Sequence, residues 1–332
     1  MTSAQSAIGN RHSAIRSILV LKPSSLGDIV HTLPAVALLK KSWPQSRLRW
    51  LVNSEWMPLL EGNPHVDEVV EFPRKNFRGP AGWSRIPAWA KTLAEKKSDL
   101  VLDFQGLLRS ALIAKLCRAD GGRIVGLSDA REGARHFYDE TVDTAGKLHA
   151  VDRYLALVAT LGIDIAMPLE WPLPQGSEPI GFDATRPFVL LHPFSRGAGK
   201  SLTAAEVAEF CRALAPHRVV IAGRTEAHFP PLENVADFLN RTTLPELIWL
   251  IRRAAFTVSV DSGPMHIAAA LTPRLLSIHT WSDPRKVGPY QPGAWIWKDR
   301  TLFQMRDLAK PGAHQLAADL TAVARLVRAE VF

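Results

Sequence analysis

The feature that most constrains this chain is an alternation of short apolar runs with helix-compatible stretches, carried through once, broken by prolines, then carried through again. In the first half the apolar runs cover residues 18–21, 48–52, 66–72, 100–104 and 124–127, with helical stretches at 29–41 and 107–118. After the break, strands are expected at 188–192, 219–222, 256–260 and 275–279, and helices at 203–214, 244–254 and 264–271. A parallel strand needs a crossover before its neighbour and buries both faces, so this alternation predicts parallel sheets covered by helices. Residues 167–187, which hold Pro168, Pro172, Pro174, Pro179 and Pro187, read as a linker. The expected class is α/β: two doubly wound Rossmann-like domains facing a central cleft, over residues 15–172 and 186–312. Residues 313–332 form a separate amphipathic helix, with Leu316, Leu320, Val323 and Leu326 at helical spacing.

Length and composition agree with two cores. A chain of 332 residues with 47% apolar content exceeds the size at which one core usually stops growing. Cys117 and Cys211 lie far apart and form neither a CxxC nor a zinc-ligand spacing, which fits a reducing cytoplasm. No run approaches the roughly 18 apolar residues of a membrane span, and residues 1–17 lack a signal-peptide core. A net charge of +8 calls for an acidic partner: nucleic acid, membrane surface or phosphorylated substrate.

Three loops at strand ends carry candidate chemistry. Lys22-Pro23-Ser24-Ser25-Leu26-Gly27-Asp28 joins the first strand to the first helix but lacks the GxGxxG spacing of a dinucleotide loop. Two readings of Asp28 stand side by side: an N-terminal cap for the helix, or a carboxylate that takes the proton from an attacking hydroxyl. Val258-Ser259-Val260-Asp261-Ser262-Gly263-Pro264-Met265-His266 places an acid, a hydroxyl and a glycine before a helix opened by proline, a setting suited to a pyrophosphate. His192-Pro193-Phe194-Ser195-Arg196-Gly197-Ala198-Gly199-Lys200 brings two cations to a glycine-bearing loop, where they would neutralise a departing diphosphate. No Asp-x-Asp pair stands in a loop suited to a divalent metal, so neither a metal nor a cofactor is expected.

Together these loops resemble glycosyltransferase family 9, the ADP-heptose:lipopolysaccharide heptosyltransferases, and within it the heptosyltransferase I type. The matching segments are Lys22 to Pro34, Asp103-Phe-Gln-Gly-Leu-Leu-Arg-Ser110, Arg131-Glu132 with Phe137-Tyr138, His149-Ala-Val-Asp-Arg153, the loop ending at Lys200, and Val260-Asp-Ser-Gly-Pro-Met-His266. The resemblance implies a GT-B enzyme that inverts the anomeric centre without metal. It implies Asp28 as general base, with Lys200 and Asp261 holding the donor sugar and diphosphate. Ser195, Arg196, Ser262, Gly263 and His266 would hold the phosphates, and Glu226 and Thr242 would lie near the nucleoside. The donor implied is ADP-L-glycero-D-manno-heptose. The acceptor implied is an anionic lipid, Kdo-lipid A, met at the inner face of the inner membrane by a cytoplasmic, peripherally bound enzyme. In this fold type the C-terminal helix crosses back onto the first domain.

Acceptor contacts are expected from Ser25, Gln105, Arg109 and Arg131, and from the segment 72–89, where Arg74, Lys75 and Arg78 alternate with Phe77, Trp83 and Trp89. Cations among aromatics suit phosphates beside an apolar surface. A solvated basic loop with its aromatics tucked inward would read the same way. The Lys200 loop is one residue longer than in heptosyltransferase I, and Trp281-Ser282-Asp283-Pro284 replaces a Pro-Thr-Asp-Pro-like turn. The rivals are a family member with another donor or a later core acceptor, a nucleotide-sugar epimerase on the same scaffold, and a basic nucleic-acid-binding protein. The last explains neither Asp28 nor the 261–266 loop, so no nucleic-acid partner is expected.

Overall fold

The computed structural model describes residues 15–197, 199–228, 230–308, 316–317 and 319–331. The chain divides into two compact units between Leu173 and Pro174.

The first unit is built on a parallel sheet of order β3-β2-β1-β4-β5-β6, from β1 (Ser17–Leu21), β2 (Arg47–Asn53), β3 (Glu68–Phe72), β4 (Ser98–Asp103), β5 (Arg118–Leu127) and β6 (Glu140–Val142). β1 lies at the centre, with Ile18 opposite both Leu48 and Leu100. All four of its apolar residues, Ile18, Leu19, Val20 and Leu21, are buried, which is why the run reads as continuously apolar. Helix α1 (Leu26–Ser42) is buried nearly all round from Leu26 to Leu39 and packs against α5 (Ala150–Ala159). A helix covered on every side carries no amphipathic stripe. Between β3 and β4 lie a 3₁₀ turn over Arg74–Phe77, then α2 (Gly79–Trp83) and α3 (Ile86–Ala94); α4 (Leu108–Cys117) follows β4. Each fully buried leucine contributes about 1.5–3 kcal/mol, so truncating one in β1 would cost more than most single changes.

The second unit has the order β14-β13-β12-β11-β10-β7-β8-β9. Its strands are β7 (Val189–His192), β8 (Val219–Gly223), β9 (Val235–Leu239), β10 (Phe256–Val260), β11 (Leu275–His279), β12 (Trp295–Lys298), β13 (Thr301–Gln304) and β14 (Leu316–Ala317). Pairing is parallel from β9 through β12 and antiparallel beyond. Helices α6 (Ala204–Leu214) and α7 (Leu244–Arg253) each begin at a threonine, Thr203 and Thr243, that exchanges bonds with a glutamate three residues on, Glu206 and Glu246. α8 (Gly263–Leu271) follows β10, and the short α9 (Pro284–Val287) follows β11.

The C-terminal helix α10 runs over Leu320–Val331 and not from residue 313. Leu316 belongs to β14, where it pairs with Leu302; residues 309–315, 318 and 332 lie outside the described residues. Part of the apolar stripe of α10 meets a surface within its own unit. Val323, Ala324 and Val327 are buried in one cluster with Phe210, Cys211 and Leu214 of α6. That surface supplies the apolar partner the stripe requires.

Candidate active site

In the first unit β1 and β4 are neighbours whose chains leave toward opposite sides of the sheet, the switch point at which open α/β sheets take ligands. Loops from both strands meet there: the Ser24 amide donates to Gln105 Oε1 at 3.3 Å. Asp28, in the first turn of α1, accepts the Ser25 amide at 3.0 Å and the Ser25 hydroxyl at 2.8 Å, both on Oδ2. Its Oδ1 accepts the Tyr154 hydroxyl at 3.3 Å and lies 3.9 Å from the Lys22 ammonium. One oxygen is thus engaged in capping the helix start, and the other faces Tyr154 and Lys22. The Asp28 side chain is 39% exposed, enough for a substrate hydroxyl to reach it.

The groups behind Asp28 are buried. Lys22 donates to the Phe104 carbonyl at 2.9 Å and stands 5.0 Å from the Tyr154 ring centroid. Burial lowers its pKa against the opposing pull of Asp28. Burial, then Asp28, raises the Tyr154 phenol well above its ordinary value, so it stays a hydrogen-bond donor. Asp103 ends β4 fully buried and accepts from the Gln105 and Gly106 amides at 2.9 and 3.1 Å, and from the Ser110 and Tyr138 hydroxyls at 2.8 Å each. Burial pushes its carboxyl above the usual range, against the pull of these four bonds. Asp103 thereby shapes the turn that presents Gln105.

Around this mouth, the Arg131 amide donates to the Gly106 carbonyl at 2.8 Å, which ties the loop after β5 to the loop after β4. Arg109 lies 5.6 Å over the Phe72 ring; burial and then the nearby Arg74 lower its pKa, so two cations are held close together. Lys75 pairs with Glu55 at 2.8 Å. Phe72, Phe77 and Trp89 form a ring cluster with centroids 5.2 to 5.9 Å apart, so two of the three aromatics singled out in the basic segment are structural. Trp83 is 63% exposed.

In the second unit the switch point falls between β7 and β10, and the loops after both strands carry expected donor residues. Ser201 Oγ accepts the Ser195 amide at 2.9 Å and donates to the Ser195 carbonyl at 3.1 Å, closing the loop of Ser195, Arg196 and Lys200 on itself. Ser262 stands at the N-cap position of α8, Gly263 opens the helix, and His266 stands one turn in with Nε2 3.8 Å from Asp261. Asp261 and His266 are largely buried at this helix start, where backbone amides and the helix dipole favour an anion. After β8, Glu226 is exposed in a loop held by Asn240, which accepts the Thr225 amide at 3.1 Å. Thr242 lies just before the α7 cap. His279, at the end of β11, is buried between Ser277 and Ser282 and its pKa is pushed down to about 4 by burial. Among the described residues no group of three or more His, Cys, Asp or Glu side chains is placed to hold a metal ion.

Residues 86–311 match glycosyltransferase family 9 (heptosyltransferase). The chain belongs to that family. It is a glycosyltransferase. Among its relatives, the lipopolysaccharide core heptosyltransferase OpsX of Haemophilus influenzae is 27% identical over 83% of this chain and 82% of its own length. Lipopolysaccharide heptosyltransferase 1 of Salmonella typhimurium is 29% identical over 82% of this chain and 91% of its own. The solved E. coli heptosyltransferase WaaC with ADP-2-deoxy-2-fluoro heptose aligns at a TM-score of 0.71 and 22% identity, covering 94% of this chain and 99% of that one. The family 9 enzyme accordingly has the GT-B fold.

Within each unit of this family 9 enzyme the expected residues gather at the carboxyl ends of the strands. Ser25, Gln105 and Arg131 lie in the loops after β1, β4 and β5, with Asp28 and Arg109 in the first turns of α1 and α4; Arg74, Lys75 and Arg78 follow β3. Lys22 was visible in the first loop without a role of its own. Asp103, Tyr138 and Tyr154 lay in or beside quoted motifs, yet their positions behind the loops depend on tertiary packing that spacing does not show.

Proposed function

We propose that this enzyme transfers heptose from ADP-L-glycero-D-manno-heptose to the lipopolysaccharide inner core, with Kdo-lipid A as acceptor, by an inverting displacement that needs no metal. The observation that carries the reading is the Asp28 carboxylate, capped on one oxygen and reachable at a switch point, backed by a buried phenol and ammonium. The acceptor hydroxyl attacks the anomeric carbon from the face opposite ADP while its proton passes to Asp28. Lys200, Arg196 and the start of α8 stabilise the charge that develops on the departing diphosphate. Glu226 and Thr242 face the nucleoside, and Ser195, Asp261, Ser262, Gly263 and His266 hold the sugar and phosphates. The names of OpsX and heptosyltransferase 1 support the substrate class.

Arg74, Lys75, Arg78, Arg109 and Arg131 take the acceptor's acidic groups, and the exposed Trp83 and Ile86 lie on the same stretch of chain as the first three. This composition supports contact with an anionic bilayer surface. No helix among the described residues is long and apolar enough to cross a membrane. The test is a donor screen with purified protein and Kdo-lipid A, with and without EDTA, followed by assignment of the product's anomeric configuration. Turnover with ADP-heptose that survives chelation and yields the inverted anomer is expected. A requirement for added magnesium or manganese, or a preference for another nucleotide sugar, would overturn the corresponding part.

A further inference from the structure

Trp281 is the exposed aromatic that the proposed reaction leaves without a role. It occupies the turn after β11, and it is 57% exposed although both sides of its turn are fixed. On one side His279 Nδ1 and the buried Ser282 Oγ share a hydrogen bond at 2.8 Å. On the other, Asp283 caps α9 by accepting the Arg285 amide at 3.0 Å. The turn thus holds a large ring outward on a rigid base.

The ring is occupied on one face. The Lys200 ammonium lies 4.0 Å from its centroid, well inside the range over which an aromatic face attracts a cation. The Lys200 stem lies along Gly197: a Cβ added there would stand 3.4 Å from both Cδ and Cε, and the backbone φ of +108° is one that glycine adopts readily. The loop is closed at its base by Ser201. A flexible side chain therefore passes the open face of a glycine at its stem and meets an aromatic face at its tip.

We propose that Trp281 is a positioning residue for the donor: its indole stations the Lys200 ammonium between the β7 and β11 loops, ready to meet the donor diphosphate. This rests on the reading of Lys200 as a diphosphate ligand. A lysine free to rotate loses its rotamer entropy when it binds, whereas one already held on a ring loses less.

The experiment measures ADP affinity by calorimetry for wild type, Trp281→Leu, Trp281→Phe, Lys200→Ala and the Lys200→Ala/Trp281→Leu double variant. Loss of the ring in Trp281→Leu is expected to weaken ADP binding by about threefold to tenfold. Trp281→Phe keeps a π face and should stay within about twofold of wild type. On the Lys200→Ala background, removing the ring should cost nothing further, because its effect passes through that ammonium. Equal losses in the Leu and Phe variants, an unchanged Trp281→Leu, or an undiminished cost on the Lys200→Ala background would overturn the proposal. If Lys200→Ala alone leaves ADP affinity unchanged, the assignment of Lys200 fails in its own right, and that variant leaves Trp281 untouched.

Discussion

The Tyr154 hydroxyl donates to Asp28 Oδ1 at 3.3 Å from a ring that is 4% exposed, while Ser25 donates twice to Oδ2. The carboxylate is held from both ends without being covered. The proposed role as general base calls for such an arrangement: a lone pair left for the substrate proton and no freedom to swing away.

Asp28→Asn should reduce turnover to near background while ADP affinity stays within a few-fold of wild type. The amide oxygen can still accept from Ser25 and cap α1, while the buried Lys22 loses the charge that offsets its burial, so the protein should stay folded with a modestly lower melting temperature. Steady-state kinetics beside calorimetry decide this; near-normal turnover would leave Asp28 as a cap only.

Tyr154→Phe removes one donor and keeps the ring that packs against Phe104. Turnover should fall by roughly tenfold with ADP affinity unchanged, and stability should drop by only about 1 kcal/mol, the net value of a typical hydrogen bond. A variant with full activity would show that Tyr154 serves packing alone.

Much of this was legible in the sequence because the sheet strands announce themselves. A strand buried on both faces, such as Phe256–Val260, is an uninterrupted apolar run, and the loops that carry chemistry follow such runs. The edge of the second sheet was not legible. β12 and β13 are joined through Asp299 and Arg300, both at positive φ (49° and 56°), a two-residue turn without the glycine that usually marks one. Nor does α10 reveal its partner, since an apolar stripe states that a surface is needed and not whose. The buried groups behind Asp28 come from positions 22, 103 and 154, and only the sheet brings them together.

Gly126 tests how the Asp103 turn is held. It pairs in register with Asp103, and a Cβ there would fall 2.3 Å from the Tyr138 ring, whose hydroxyl binds Asp103. Gly126→Ala must expel the ring, so it should destabilise by about 1–3 kcal/mol and resemble Tyr138→Phe in weakened acceptor kinetics. Thermal melts of both variants check this, and an unaltered melt for Gly126→Ala would mean that the ring is not locked.

Among the basic residues, Arg74 and Arg109 should matter more for the acceptor than Lys75. Burial and then the nearby Arg74 lower the pKa of Arg109, a cost that an anionic ligand would relieve, whereas Lys75 is already paired with Glu55. Arg74→Ala and Arg109→Ala should each raise the acceptor KM several-fold and leave ADP affinity alone, with Lys75→Ala milder. Equal effects of all three on the acceptor, or losses shared with the donor, would take this cluster out of the acceptor site.

The last prediction concerns acid. His192, at the end of β7, is buried with no hydrogen-bond partner at Nδ1 among the described residues, and burial pushes its pKa down to about 4. In the unfolded chain the imidazole titrates near 6.5, so between pH 6.5 and 4 the unfolded state binds more protons and stability rises with pH. The contribution is fully present above pH 6.5 and is lost as pH falls toward 4, by roughly 3 kcal/mol over the window. His279, also held near 4 by burial, adds a loss of the same sign. Denaturant unfolding at half-unit steps should show the wild-type free energy declining through this window and His192→Asn declining less steeply. The difference between the two slopes isolates His192, because carboxylates such as Asp67 and Glu68, whose pKa values are lowered in the fold, lose their contribution at lower pH. Parallel curves for the two proteins would mean that the imidazole is solvated in the native state and that its burial at the mouth of the second sheet is incomplete.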